Sequence, residues 1–230
     1  MAVLVAAFFT GEALAGAPRL SAAKTAAEAD LVDIRVLVPD IAIDLRYAGT
    51  NNFVGRPIDG YAAARCLLRP VAARALAKAE RALRKQHLRL KLFDCYRPAR
   101  AVRQFVEWAR DLEDQQTKSR YYPNIDKRAL LGAYIAPVSG HSRGATVDLT
   151  LQQCKDDSHC SPLDMGTAFD FFDPRANTDS AGITPAQRRN RQRLRRAMEQ
   201  AGFRNYAMEW WHYGYQPEPD PELIHDVPIR

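Results

Sequence analysis

Long hydrophobic runs are nearly absent from this sequence of 230 residues. Apart from one apolar stretch at the start, no segment approaches the roughly 20 apolar residues of a membrane-spanning helix. Internal repeats are also absent, and no linker interrupts residues 31–215. These absences exclude a polytopic membrane protein and a repeat protein. An ordinary content of 47% hydrophobic and 26% charged residues excludes a disordered chain. The sequence therefore predicts one globular domain.

The apolar stretch at the start, Met1 to Phe9, is followed by small residues around Ala15 and Ala17. An apolar core before an A-x-A site is typical of a cleaved secretory signal. We therefore expect a signal peptide over residues 1–17, a flexible tether over 18–30 and export, most simply to the periplasm. After cleavage no stable membrane insertion is expected. The alternative is an N-terminal helix of the core.

Positive charge is in excess, with 33 basic and 27 acidic residues and a net charge of +6. Much of it lies between Thr184 and Gly202, where six arginines stand against Glu199 alone. We interpret this segment as a helix with a solvated basic face, which predicts at most a weak contact with anionic envelope polymers. No nucleic-acid-binding motif is present, so no nucleic-acid partner is expected.

The sequence has four cysteines but no C-x-x-C pair. Cys66 and Cys95 flank a helix-then-strand unit that returns the chain to its starting end, and Cys154 and Cys160 are close enough to close one loop. An even count in an exported chain predicts the disulfides Cys66–Cys95 and Cys154–Cys160. Closing the longer loop contributes about 3–4 kcal/mol in the chain-entropy model. The alternative is a structural zinc site at Cys154, His159 and Cys160, which lacks a clear fourth ligand.

Hydrophobic periodicity predicts helices and strands mixed without regular βαβ order. Helices are predicted from about Pro70, from Pro98, and from Thr184 to Gly202. Strands are predicted where Leu88, Leu90 and Leu92 alternate and over the apolar run 147–151. We therefore predict a single α+β domain over residues 31–230, ending in an extended C-terminal tail.

Two segments concentrate the residue types that bind metals. His141 follows a glycine, Asp148 lies inside an apolar strand, and Glu209 and His212 enclose two tryptophans. A buried carboxylate needs a cation or hydrogen-bond donors. Two histidines and a carboxylate, with a fourth position left for water, are typical of catalytic zinc, and Glu209 would then be a carboxylate able to move a proton. Each residue alone has a plainer interpretation: a turn histidine, a carboxylate bonded to backbone amides, or an aromatic strand in the core.

The same segments resemble the signature of the D-alanyl-D-alanine dipeptidases, the family that includes the vancomycin-resistance dipeptidase. The pattern S-x-H-x-x-G-x-x-x-D is matched from Ser139 to Asp148, and E-x-W-H from Glu209 to His212. Four further segments resemble the family in order: Asp44-Leu-Arg-Tyr47, Asn52-Phe53 with Gly60-Tyr61, Asp94-Cys-Tyr-Arg-Pro98 and Asp164-Met-Gly-Thr-Ala-Phe-Asp170. The resemblance covers about residues 31–215.

The resemblance implies a zinc metallopeptidase of the D-Ala-D-Ala metallopeptidase and Hedgehog-like fold, with a small antiparallel sheet flanked by helices. The implied ligands of one Zn²⁺ per chain are His141, Asp148 and His212. Glu209 would be the catalytic base, and Arg97 would stabilise the tetrahedral intermediate. The implied pocket residues are Tyr47, Asp94 and Ser139. The pocket residues would hold the dipeptide termini or orient Arg97. The implied reaction is hydrolysis of free D-Ala-D-Ala to two D-alanines.

Two other functions remain open at this point. One is a peptidoglycan D,D-carboxypeptidase that acts on stem peptides, which needs an open groove in place of a closed pocket. The other is a catalytically silent zinc-bearing binding module, against which the presence of both Glu209 and Arg97 argues.

Overall fold

The computed structural model describes residues 18–156 and 159–230. The helices are α1 (Pro70–Arg84), α2 (Ala99–Arg110), α3 (Lys118–Tyr121) and α4 (Pro185–Glu199). The strands are β1 (Arg19–Leu20), β2 (Val32–Asp33), β3 (Ala42–Ile43), β4 (Leu67–Leu68), β5 (Leu88–Asp94), β6 (Thr146–Cys154), β7 (Cys160–Pro162), β8 (Phe203–Asn205), β9 (His212–Tyr215) and β10 (Leu223–Ile224). This mixture is the predicted α+β class.

One six-stranded sheet forms the centre of the described chain, in the order β3-β5-β6-β9-β8, with β7 also paired to β6. All its pairs are antiparallel except β3 with β5, which is parallel. The longest strand, β6, lies in the middle and is buried at eight of its nine positions. The sheet is small and mainly antiparallel, as predicted, and its short edge strands come from distant parts of the sequence.

Local sequence signals explain where the long helices begin. Pro70 occupies the first turn of α1, where its missing N–H costs nothing. At the start of α4 the Thr184 hydroxyl accepts from the Gln187 N–H at 3.3 Å, and the Gln187 side chain accepts from the Thr184 N–H at 2.8 Å. This reciprocal capping box satisfies two backbone donors. The two helices pack against each other and against the sheet.

Both ends of the described chain are held against the domain. β1 pairs with β10 in parallel, and Ala29 is buried. The flexible tether predicted over 18–30 is therefore not what the structure shows, because this segment has a strand partner and a buried side chain. In the segment predicted as an extended C-terminal tail, Val227 and Ile229 are buried in the core. The predicted signal peptide lies outside the described residues, and no helix in the described ranges has the length and apolarity to cross a bilayer.

Both predicted disulfides are present. Cys66 is bonded to Cys95 and Cys154 to Cys160, and all four cysteines of the sequence lie in the described residues and are paired. The alternative of a structural zinc site that uses two of these thiolates is therefore wrong.

The predicted basic face of α4 needs one correction. Arg191 is fully buried, and its guanidinium donates to the backbone carbonyls of Met165, Asn177 and Arg175 at 2.7, 2.6 and 2.9 Å. Burial lowers the pKa of Arg191 to about 10. This arginine does not belong to the solvated face, because it ties the preceding loops to the helix.

Candidate metal and catalytic site

Strand register brings three polar residues side by side. Asp148 of β6 lies opposite His212 of β9 on one side and opposite Asp94 of β5 on the other. Directly opposed residues of neighbouring strands point their side chains to the same face of a sheet. The sheet therefore places two carboxylates and an imidazole in one row, from parts of the chain up to 118 residues apart.

His141 joins this row from a single 3₁₀ turn, Gly140–Arg143, directly before β6. Ser139 begins the turn, where its hydroxyl accepts from the His141 N–H at 3.3 Å. Gly144 ends it with φ of 77°, and a Cβ there would lie 2.5 Å from Leu31 Cδ2. Glycine is therefore favoured at this position by its left-handed backbone conformation, and a Cβ there would displace the Leu31 side chain.

The His141 ring is oriented by a backbone carbonyl. Its Nδ1 lies 2.6 Å from the Cys95 oxygen, which can only accept, so Nδ1 carries the proton. Nε2 is then left with its lone pair, 3.2 Å from Asp148 Oδ2 and 3.3 Å from His212 Nδ1. This tautomer is the one a metal ligand needs.

The three predicted ligand residues fit a zinc ion. His141, Asp148 and His212 each offer a ligand atom, and these atoms all lie within 4.8 Å of one another. Asp148 Oδ1 is buried and lacks a well-aligned hydrogen bond, although His212 Nδ1 lies 3.0 Å away. Burial favours the neutral form of Asp148, yet the two histidines hold its pKa below the ordinary range. A buried, ionised oxygen beside two imidazoles is a suitable place for a divalent cation.

Glu209 lies beside the ligands without being one of the three. Its Oε2 is 3.5 Å from His212 Nδ1, and it lines the same cavity. Burial raises the pKa of the Glu209 carboxyl to about 7, against the opposing effect of His212. The turn that carries it is held by Asn205, whose side-chain amide donates to the carbonyls of Glu209 and His212, each at 3.0 Å.

Arg97 enters the site from the segment after β5. Its Nε donates to Asp94 Oδ2 at 2.9 Å, and its guanidinium lies 5.1 Å from the ring centres of Tyr47 and Phe105. Asp94 also accepts from the Tyr61 hydroxyl at 2.7 Å and is fully buried. Burial opposes the charge of Arg97, but Asp94 raises the pKa of the guanidinium above its usual value. Asp94 therefore orients Arg97, and it does not line the cavity.

A cavity of about 310 Å³ opens onto these groups. Tyr47 and Ser139, two predicted pocket residues, line it, and so does Asp170, for which the sequence predicts no role. The Tyr47 hydroxyl donates to Asp170 Oδ2 at 2.9 Å. Burial and the Asp148 carboxylate raise the pKa of Asp170 well above its ordinary value. In the described part of the chain no basic side chain lies within salt-bridge distance of Asp170.

One signal in the sequence could have pointed to Asp170. Like Asp148, it is an acidic residue between large apolar ones, here Phe169 and Phe171. It also ends a segment that resembles the dipeptidases. A carboxylate that must be buried needs a partner, which holds for Asp170 as it does for Asp148.

Comparison with known proteins agrees with this geometry. A family model described as D-Ala-D-Ala dipeptidase matches residues 27–229. The D-alanyl-D-alanine dipeptidase of Enterococcus faecium is 41% identical over 195 residues, covering 84% of this chain and 95% of that protein. The enzyme of the same name from Streptomyces coelicolor is 40% identical over 201 residues, covering 87% and 98%. That of Escherichia coli is 36% identical over 187 residues, covering 80% and 83%.

Similarity to solved structures is weaker. A variant of the vancomycin-resistance D,D-pentapeptidase VanY, in complex with Zn(II), matches with a TM-score of 0.40 and 16% identity. The match covers 65% of this chain and 73% of that one.

Proposed function

Because this chain belongs to the D-Ala-D-Ala dipeptidase family, we propose that its site hydrolyses the free dipeptide with Glu209 as general base. The chain is a zinc metallopeptidase, and His141, Asp148 and His212 would hold the metal. The observation that carries this proposal is the convergence of their ligand atoms within 4.8 Å, at a cavity that Glu209 and Arg97 share.

Each residue of the site has a distinct task in this reaction. Bound Zn²⁺ supplies Lewis acidity and lowers the pKa of water. Glu209, whose pKa lies near neutrality, takes the proton of the attacking water and returns it to the departing amine. The Arg97 guanidinium, fixed by Asp94, stabilises the negative charge that develops on the carbonyl oxygen.

The cavity wall also offers groups for both ends of a dipeptide. Asp170, held by Tyr47, is a carboxylate for the substrate ammonium. The Ser139 hydroxyl uses an acceptor lone pair on the His141 N–H, so its proton is free to donate to the substrate carboxylate. Recognition of both charged ends in one cavity favours the free dipeptide over a longer stem peptide, which has no free amino group at that position.

The test of the mechanism is D-Ala-D-Ala hydrolysis by Glu209→Gln protein and by chelator-treated protein. We expect Glu209→Gln to lower kcat by about 10²- to 10⁴-fold while one zinc per chain is retained. Chelation should abolish activity, and added Zn²⁺ should restore it. Glu199→Gln, an exposed carboxylate on α4, is the matched control and should behave like the parent. Near-normal rates in Glu209→Gln or after chelation would contradict the assignment.

A second assay distinguishes the dipeptidase from the carboxypeptidase. We expect rapid cleavage of free D-Ala-D-Ala and little cleavage of its N-acetyl form or of a stem pentapeptide, because acylation removes the charge that Asp170 would bind. Equal rates on all three substrates would favour the carboxypeptidase.

We also propose that the protein works outside the cytoplasm. The apolar start of the sequence and the two disulfides support export, since disulfides persist in oxidising compartments. Expression of the full chain in a Gram-negative host should give a periplasmic protein whose measured mass lacks about residues 1–17. A cytoplasmic protein of full mass would contradict this proposal.

A basic surface on α1 and α4 supports the weak contact with anionic envelope polymers. Six exposed basic side chains on these helices, and Lys85 directly after α1, have no ion-pair partner among the described residues. The six are Arg74, Lys78, Arg81, Arg189, Arg193 and Arg196. None of them lines the catalytic cavity. Such a surface attracts polyanions through a long-range, salt-screened interaction.

Elution from heparin–agarose tests this surface. Lys78→Glu/Arg193→Glu protein should elute at lower NaCl than the parent. A control with the same charge change elsewhere, Arg110→Glu/Arg128→Glu, should elute closer to the parent. Identical elution of the two variants would show that only net charge matters.

A further inference from the structure

The disulfide Cys66–Cys95 includes a residue, Cys95, whose backbone contacts the proposed zinc ligand His141. The Cys95 carbonyl is the group that accepts from His141 Nδ1 at 2.6 Å. The same bond sets both the tautomer and the direction of the imidazole. The position of the Cys95 backbone therefore decides where His141 Nε2 points.

The segment around Cys95 holds His141 at a second point. The Arg97 N–H donates to the His141 carbonyl at 3.2 Å. Residues 94–97 thus contact both the ring and the backbone of His141, and they also carry the Arg97 side chain. A shift of this segment would move a metal ligand and the catalytic arginine together.

The central sheet holds this segment at Asp94, which pairs with Asp148, and does not extend to residues 95–97. The pairing of β5 with β6 shifts register between Leu92 and Asp94, and β5 ends at Asp94. Beyond that point the backbone is attached to β4 by one hydrogen bond, from the Tyr96 N–H to the Leu67 carbonyl at 2.9 Å. The second attachment is the disulfide from Cys95 to Cys66, the residue directly before β4. Both cysteines are fully buried.

The other disulfide provides an internal comparison. Cys154 ends β6, six residues beyond Asp148, which corresponds to about 20 Å along a strand. It pairs with Cys160 across the hairpin of β6 and β7. Neither cysteine lines the catalytic cavity.

We propose that Cys66 and Cys95 are positioning residues of the metal site, and that their disulfide fixes His141 and Arg97 in the geometry that binds zinc and stabilises the transition state. This role rests on the proposed zinc ligands. It requires no chemistry at the sulfur atoms during turnover.

The experiment compares Cys66→Ala/Cys95→Ala with the matched variant Cys154→Ala/Cys160→Ala. The zinc dissociation constant is measured by competition with a chromophoric chelator, well below the Tm of each protein, together with kcat and KM. We expect the Cys66 and Cys95 variant to bind zinc about 10- to 100-fold more weakly, the usual effect of losing support behind a ligand. Its kcat should fall more than its KM rises. The control should keep its zinc affinity within about twofold, whatever its Tm.

Zinc affinity within about twofold of the parent in folded Cys66→Ala/Cys95→Ala protein would overturn the proposal. So would an equal loss of affinity in both double variants. A parent protein that binds no zinc would instead remove the zinc assignment and this proposal with it.

If the Cys66 and Cys95 variant does not fold, the folded parent is loaded with zinc and reduced with tris(2-carboxyethyl)phosphine. Zinc release is followed with a colorimetric chelator while mass mapping identifies which disulfide has opened. We expect release to follow the opening of Cys66–Cys95 and not that of Cys154–Cys160. Full zinc retention after both have opened, or release with Cys154–Cys160 alone, would overturn the proposal.

Discussion

At the scale of single residues, Asp170 is the side chain that we expect to decide which substrates bind. It is a buried carboxyl on the cavity wall that accepts one hydrogen bond, from Tyr47. Burial keeps its pKa high, so its charged form is poorly supported until a cation arrives. A substrate ammonium would supply that cation, and the pairing would select peptides with a free amino terminus.

Asp170→Asn should therefore weaken productive binding of the free dipeptide. Loss of one partner of a desolvated charge pair costs at least about 2 kcal/mol, which is roughly 30-fold in kcat/KM. We expect most of this loss to be a rise in KM, measured by steady-state kinetics with D-Ala-D-Ala. Asp164→Asn, an exposed residue of the same segment, should stay near the parent value. An unchanged KM in Asp170→Asn would remove the proposed role.

The residues of the site differ in how far the sequence could reveal them. His141 and Asp148 lie in one short segment, and Glu209 and His212 in another, so their chemistry and the family resemblance could be recognised locally. The pairing of Tyr47 with Asp170 joins residues 123 positions apart. No spacing rule connects such residues, and only the fold brings them together.

At the scale of secondary-structure elements, Arg191 shows how a helix can hold the loops around it. Its three carbonyl partners belong to the loops before α4. One of these loops leads to Ala176, whose carbonyl accepts from the Trp210 N–H, in the turn that carries Glu209. The buried guanidinium of Arg191 thus stabilises, through this loop, the turn that carries Glu209.

Arg191→Lys should destabilise the fold, because an ammonium cannot reproduce the planar fork that reaches three carbonyls. Each buried carbonyl left without a partner costs about 1–3 kcal/mol. We expect the free energy of unfolding in urea to fall by about 2–4 kcal/mol. Arg193→Lys, on the exposed side of the same helix, should change it by less than about 0.5 kcal/mol. Similar values for the two variants would contradict this account.

The start of α4 could be predicted because its signals are local: Thr184, Pro185 and the apolar stripe after them. The burial of Arg191 could not be predicted, because a helical pattern of arginines looks the same whether the partners are water or distant carbonyls. The strands of two residues, such as β1 and β10, were missed for a related reason. They exist only through pairing with a remote segment, and two residues carry no periodicity.

At the scale of the whole molecule, the proposed metal site joins parts of the chain that are distant in sequence. His141 precedes β6, Asp148 lies on it, and His212 begins β9. Asp148 Oδ1 is buried and makes no well-aligned hydrogen bond within the described residues. A ligand that binds the folded chain and not the unfolded one stabilises the fold by mass action. Zinc should therefore stabilise the entire domain and not only its own ligands.

Removal of the metal should consequently lower the Tm of the whole protein in one cooperative transition. Zinc at 100 times its dissociation constant adds about 2.7 kcal/mol. At about 2–4 °C per kcal/mol for a domain of this size, the Tm should rise by roughly 5–10 °C over chelator-treated protein in scanning calorimetry. His212→Ala should lose this shift, whereas His159→Ala, whose imidazole is exposed, should retain it. A full shift in His212→Ala would show that the ion binds elsewhere. An unchanged Tm after verified zinc removal would show that zinc does not stabilise the folded chain, which contradicts this prediction.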